Sequence, residues 1–334
     1  MEYRMLGKTG LKVSEIGFGC GNVGGLIVRG THEEQLEAVR RALELGINYF
    51  DTAPSYGDGR SETNLGRVLT ELRPKVTVAT KVRVGIDDLK DIKNAVRRSL
   101  EISLGRLQRD SVDVLQLHSR VAMERDGDGW RGAMGIDDVL GRDGVADAFD
   151  AVRSQGMVRF IGFTGLGEAE ALHRIVESGR FDVVQSYVNL LNPSAGWEMP
   201  SGFTGYDFGR LIDRAAEHEM GVAAIRVLAA GAVGGEKARA GYASPSVSGP
   251  MVTGGEYRAD ERRAESLGSL ISGDVTSLPQ AAIRFVLMHS GVSVVLVGFS
   301  DLGQVEEAAS CSGRGPLPDS SMERLRELWA EDIG

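Results

Sequence analysis

Eight short apolar runs rich in Val and Ile recur along the chain, at residues 15–19, 47–51, 76–81, 112–117, 158–162, 183–186, 222–226 and 293–297. Amphipathic helical patterns fall between them or beside them, at 33–45, 88–104, 145–154, 167–178, 208–218, 278–289 and 302–309, with a terminal one at 319–333. Each run is continuous and bounded by polar residues, which suits a strand covered by helices on one face and by a packed core on the other. Parallel neighbours need a crossover between them, usually a helix, so this alternation predicts an α/β chain with a parallel sheet. Eight such units without a composition break fit one closed (β/α)8 TIM barrel spanning 1–334. An open doubly wound sheet is the competing arrangement, and strand counting does not exclude it.

The residues before Glu15 read as a short hairpin turning at Lys8-Thr9-Gly10 and capping one barrel end. Three long irregular stretches, at 119–144, 191–207 and 230–256, each follow a strand. They are therefore expected at the C-terminal rim, where barrel enzymes keep their chemistry. The tips Arg125-Asp126-Gly127-Asp128 and Gly141-Arg142-Asp143 read as solvated turns.

Composition narrows the function. The net charge of −9 with no basic cluster argues against a nucleic-acid partner or an anionic membrane surface. No apolar run approaches the roughly 20 residues of a membrane span. The opening MEYRMLGKTGLKV has charges where a secretory signal needs its apolar stretch, so a cytoplasmic location is expected. Two cysteines, Cys20 and Cys311, are too few for a disulfide framework or a thiolate metal cage, and His173, His218 and His289 lack spaced partners, so no metal is expected.

Four polar residues stand at or just past the ends of successive predicted strands: Asp51, Tyr56, Lys81 and His118. Taken singly, each reads as an ordinary surface or packing residue. In a barrel, all four converge on one mouth. Together they suit proton transfer coupled to hydride transfer at a carbonyl. A phenol near pKa 10 is a slow proton donor alone, and a neighbouring ammonium favours its phenolate. Asp51 can hold Lys81 in place, and the His118 imidazole can hydrogen-bond the carbonyl oxygen as charge develops on it.

The stretch from Gly46 to Gly57, GINYFDTAPSYG, resembles the signature of the aldo-keto reductases. It is followed by Ser61-Glu62 and Leu65-Gly66. Ala79-Thr80-Lys81-Val82 and Asp113–His118 match the family's next segments, and the resemblance extends from LGKTGLKVSEIGFG to residues 295–307. It implies a TIM barrel using NADPH, sometimes NADH, with the catalytic tetrad Asp51, Tyr56, Lys81 and His118. It also implies cofactor contacts from Gly19, Cys20, Gly21 and Asp51 near the nicotinamide ribose, and from Thr164 and Gln185 at the carboxamide.

Departures from the family pattern are visible at the same level. Thr164-Gly165 replaces the usual Ser-Asn, and Arg226 stands where an aromatic ring stacks on the nicotinamide; Arg226 is expected to stack there or reach the diphosphate. Leu228 and Ala230 belong to an Ala/Gly-rich run suited to wrapping the diphosphate. Gly298, Ser300, Gln304 and Glu307 match the segment that holds the adenosine end. Here acidic Asp301 occurs instead of Arg or Lys, which suits ribose hydroxyls, while Ser300 and the following helical amides could still receive a phosphate. The resemblance implies NADPH, with NADH as a second option.

Trp130, Phe163, Tyr187, Trp197, Phe203 and Tyr206 are candidate pocket walls, expected to suit a medium-sized aldehyde, ketone or aldose. The segments IGFGCGNVGG and IRVLAAGA are most similar to the bacterial branch of D-threo-aldose and pyridoxal dehydrogenases. The alternative function is a nucleotide-binding regulatory or scaffold barrel with negligible turnover.

Overall fold

The computed structural model describes residues 1–127, 129–234, 241–244 and 257–331. The hairpin pairs β1 (Tyr3–Met5) with β2 (Lys12–Ser14). The barrel strands after it are β3 (Ile16–Gly19), β4 (Tyr49–Asp51), β5 (Thr77–Val82) and β6 (Val112–Leu117). After two short pieces on the rim, β7 (Val121–Ala122) and β8 (Met134–Gly135), come β9 (Val158–Thr164), β10 (Val183–Tyr187), β11 (Gly221–Ile225) and β12 (Val294–Gly298). The sheet closes in the order β3-β4-β5-β6-β9-β10-β11-β12, all parallel. The expected barrel is therefore formed, and the open sheet is excluded.

The helices are α1 (Leu26–Arg29), α2 (His32–Glu44), α3 (Arg60–Leu72), α4 (Ile92–Leu107), α5 (Ile136–Leu140), α6 (Val145–Ser154), α7 (Ala169–Glu177), α8 (Leu211–Glu217), α9 (Tyr257–Glu265), α10 (Leu278–Leu287), α11 (Leu302–Ser310) and α12 (Asp319–Ala330). Four differ from expectation: α1 and α9 fall where no helix is predicted, as do two others. Helix α3 occupies a segment for which no helix is predicted, burying Leu65, Val68 and Leu69 against the barrel. Helix α5 interrupts the stretch 119–144 expected to be irregular, because Ile136 and Val139 find a buried face there. Of the stretch 230–256, residues 235–240 and 245–256 lie outside the described residues, as does Asp128.

Strand period explains how the barrel carries a site. Alternate side chains point to opposite faces. Tyr49, Ala79, Val114 and Val183 point inward and form an apolar plug with Leu6, Leu11, Val13, Val294 and Leu296. The hairpin seals this end: Lys8 donates its backbone N–H to the Glu219 carbonyl at 2.8 Å, beside the first residue of β11. Phe50, Leu115 and Val184 point outward into the larger core beneath the helices. Two residues beyond each plug residue, Asp51, Lys81, Gln116 and Gln185 must point inward again, one layer nearer the C-terminal rim. An apolar floor thus carries a polar layer.

Candidate functional site

In that layer Lys81 is buried, and its Nζ donates to Asp51 Oδ2 at 2.5 Å, to the Thr52 carbonyl at 2.9 Å and to Tyr56 Oη at 3.2 Å. The ammonium also lies 4.8 Å from the Tyr56 ring centroid. The His118 ring stands edge-on to Tyr56 with centroids 5.9 Å apart. All four residues expected to carry chemistry are therefore brought together, with Tyr56 between the ammonium and the imidazole. Gln185 Nε2 donates to Asp51 Oδ1 at 2.6 Å and Gln116 Nε2 to the same oxygen at 3.3 Å. Gln116 is not among the residues expected from sequence to serve the site, although the period-2 pattern from Val114 places it inward. Gly162 makes room for it, since a Cβ there would lie 3.2 Å from Gln116 Cγ.

The loop carrying Tyr56 is tied to the strand ends by α3. Ser61 Oγ donates to the Cys20 carbonyl at 2.7 Å and lies 2.8 Å from Thr52 Oγ1. Glu62, fully buried, accepts from Thr80 Oγ1 at 2.6 Å and pairs with Arg106 at 3.2 Å. A helix not expected from sequence, α3, is thus what anchors the phenol beside the lysine.

Burial sets the electrostatics. It raises the Asp51 carboxyl above its ordinary value, against the pull of Lys81, Gln185 and Gln116. Burial works against the Lys81 ammonium, yet the Asp51 carboxylate and Tyr56 outweigh it and carry the lysine above its ordinary value. Burial, with the charges of Lys81 and Arg83, lowers His118 to about 3. The imidazole is therefore neutral at physiological pH, able to donate a hydrogen bond through one ring nitrogen but carrying no charge.

A cleft of about 670 Å³ opens above this cluster and runs to the loop after β12. Its walls include Gly19, Gly21, Asp51, Tyr56, His118, Thr164, Gln185, Tyr187 and Arg226 at one end, and Leu228, Ala230, Gly298, Ser300, Gln304 and Glu307 further along. Of the expected contact residues, one is misplaced. Cys20 is buried in the core with its Sγ against the Phe18 carbonyl, and burial pushes its thiol well above the ordinary value. The strand alternation that turns Gly19 toward the cleft turns Cys20 away.

Thr164 lines the cleft but gives its hydroxyl to the Leu117 carbonyl at 3.0 Å. Gly165 admits no side chain in its present place: a Cβ would lie 2.9 Å from the Gln185 carbonyl oxygen and 3.0 Å from Leu211 Cδ2. Arg226 adopts a left-handed backbone (φ 59°) and lies beside Tyr187, whose phenol burial pushes up to about 12 against the opposing pull of Arg226. Among the six aromatic residues expected to form pocket walls, Tyr187 alone lines this cleft. Phe163 packs into the core on Phe181, Trp197 stacks on Phe285 at 4.2 Å, and Trp130 meets Tyr206 edge-on at 5.2 Å. The diphosphate run expected at 228–235 is described only to Gly234.

The shape fits an extended dinucleotide, for which the cleft volume is ample. A Cβ at Gly21 would sit 3.7 Å from Tyr56 Cε2 and Cζ, so the glycine keeps the space beside the phenol open. Among the described residues no group of His, Cys, Asp and Glu is arranged to hold a metal ion, and no helix is long and apolar enough to cross a membrane.

Residues 15–330 match the model of the Aldo/keto reductase family. The chain is 31% identical to the L-galactose dehydrogenase of Arabidopsis thaliana over 92% of its own length and 86% of that protein's. It is 27% identical to the D-threo-aldose 1-dehydrogenase of a Pseudomonas species over 97% and 94%. Among solved structures, the holo form of an aldo-keto reductase from Bacillus halodurans superposes with a TM-score of 0.70 at 24% identity, covering 98% of this chain and 96% of that one. An aldo-keto reductase from Klebsiella pneumoniae in complex with NADPH gives 0.70 at 19% identity, covering 99% and 96%.

Proposed function

The chain belongs to the aldo/keto reductase family and is an oxidoreductase of that class, and on that premise we propose that it interconverts a carbonyl and an alcohol or lactol with NAD(P)(H), Tyr56 serving as general acid in reduction and general base in oxidation. The observation that carries this reading is the buried chain Asp51–Lys81–Tyr56 ending at the cleft beside His118. When bound, the nicotinamide supplies or accepts the hydride. Gly19, Gly21, Gln185 and Arg226 would hold its ring and ribose, and the walls from Leu228 to Glu307 the remainder.

The protein's own residues handle the proton and the developing charge. As a carbonyl oxygen gains electron density, the neutral His118 donates a hydrogen bond to it, and Tyr56 gives it the phenolic proton. The ammonium 3.2 Å from Tyr56 Oη stabilises the negative charge left there. Asp51 keeps that ammonium charged inside the barrel, and Gln116 and Gln185 fix the carboxylate by its other oxygen. In oxidation the same groups act in reverse.

The substrate is a small or medium-sized carbonyl compound, with aldoses included. The dehydrogenases of L-galactose and D-threo-aldose among its relatives support a sugar. The whole chain acts as one catalytic unit. Tyr56→Phe tests the assignment: turnover of a reactive aldehyde is expected to disappear, while nucleotide binding, followed by fluorescence titration, persists. Undiminished turnover by the variant would refute the role of Tyr56, whereas nucleotide binding without turnover by the unaltered protein would favour the barrel as a nucleotide-binding scaffold.

A further inference from the structure

We propose that the far end of the cleft is built for the free ribose diol of NAD(H) and turns away the 2′-phosphate of NADP(H). This rests on the oxidoreductase reading above and deepens it.

A dianionic phosphate needs cations, or N–H donors with nothing else to bond. The far wall of the cleft is the loop 298–301 and the first turn of α11. Its Ser300 and Gln304 donors are already engaged. The Ser300 N–H goes to Gln304 Oε1 at 2.8 Å, and the Ser300 hydroxyl goes to the Gly24 carbonyl at 2.7 Å. The Gln304 N–H goes to Asp301 Oδ1 at 2.9 Å, making Asp301 the N-cap of α11. A carboxylate at that position also neutralises the positive helix end that would otherwise draw an anion.

Charge points the same way. Among the described residues lining the cleft, the acids beyond the tetrad's Asp51 are Glu261, Asp301 and Glu307, and the only arginine or lysine is Arg226, which sits by Tyr187 at the opposite end. Ser277 Oγ holds Glu307 at 2.5 Å. Carboxylates accept hydrogen bonds and repel phosphate, whereas ribose hydroxyls can donate to them. From sequence, Ser300 and the amides after it could still receive a phosphate. The structure closes the Ser300 and Gln304 donors to that route, because the protein has spent them on itself, and the Asp301 carboxylate stands at the helix end beside the remaining first-turn amides.

The test is fluorescence titration of the full chain with NADH and with NADPH, repeated by displacement with 5′-AMP and adenosine 2′,5′-bisphosphate, which differ only in the 2′-phosphate. NADH should bind at least about tenfold more tightly than NADPH, and 5′-AMP should displace it better than the bisphosphate. Asp301→Ser retains a capping oxygen and removes the charge, so it should narrow the gap by about fivefold or more at unchanged secondary structure. Gln304→Ala frees the Ser300 N–H and should narrow it as well. Equal or tighter NADPH binding by the unaltered protein overturns the inference but leaves the oxidoreductase reading intact. A gap unmoved in both variants also overturns it. Failure to bind either dinucleotide overturns both.

Discussion

Lys81→Met replaces the buried ammonium with an apolar chain of similar length and leaves one carboxylate oxygen without a partner. Asp51 Oδ2 loses its donor, while Oδ1 keeps Gln116 and Gln185. Stripping one partner from a buried ion pair costs about 3–5 kcal/mol when the remaining charge has no escape. Asp51 has one, since it can bind a proton. Protonating a carboxyl whose unfolded value is about 3.9 costs roughly 4 kcal/mol at about pH 7, but only about 1.5 kcal/mol at about pH 5.

The loss of stability should therefore be about 3–4 kcal/mol near neutrality and shrink to about 1.5 kcal/mol near pH 5. The sign comes from linkage. Burial already raises Asp51 in the folded protein, and without Lys81 it rises further, so the folded state binds the proton more strongly. That stabilisation is full below the unfolded value and is lost as pH rises through the folded one. Urea unfolding followed by circular dichroism at the two pH values measures it. Adding Asp51→Asn to the variant should restore about 2–3 kcal/mol near neutrality, the coupling expected of touching residues. Turnover should fall by about 10²- to 10⁴-fold in the single variant. A loss of stability equal at both pH values, or a double variant no better than the single, would refute the reasoning that Asp51 is charged because Lys81 is.

His118→Gln should be nearly neutral for stability above about pH 7, because the native imidazole is uncharged there. The unfolded histidine binds its proton near 6.5 and the folded one only at about 3, so the unaltered protein loses stability as pH falls across that window. The variant should be spared as much as about 4 kcal/mol of that loss, read as melting temperature against pH. Gly165→Ala should cost about 1–3 kcal/mol by overpacking, since the new methyl would press on the Gln185 carbonyl and Leu211. It should also lower turnover by moving Gln185 off Asp51; unchanged melting and turnover would mean the neighbours yield without cost.

Much of the site is readable in one dimension because two simple rules act on it. Strand ends in a parallel barrel share a rim, and alternate residues share a face, so Asp51, Lys81 and His118 come to one mouth by their positions alone. The same alternation implies that Gln116 points inward, and Leu65, Val68, Leu69 and Leu72 carry the helical spacing of α3; both signals lie in the sequence, masked there by the more conspicuous charged residues around them. The aromatic walls failed for a different reason. Phe163 lies in β9, where alternation beside the cleft-lining Thr164 turns it outward onto Phe181, and Trp197, in a rim loop, is equally content stacked on Phe285.

The alternation of the eight barrel strands with most of their helices and the acid–lysine–tyrosine–histidine set were settled by residue type and spacing, because periodicity and chemistry are local, while the departures at Thr164, Gly165, Arg226 and Asp301 showed only against the family resemblance. Closure of the sheet, the turning of Cys20 away from the cleft and the prior engagement of the Ser300 and Gln304 N–H groups were decided only in three dimensions. A hydrogen-bond donor looks the same in a sequence whether it is free or taken, and its partner is chosen by packing between segments far apart in the chain, as the bond from Ser300 to Gly24 illustrates.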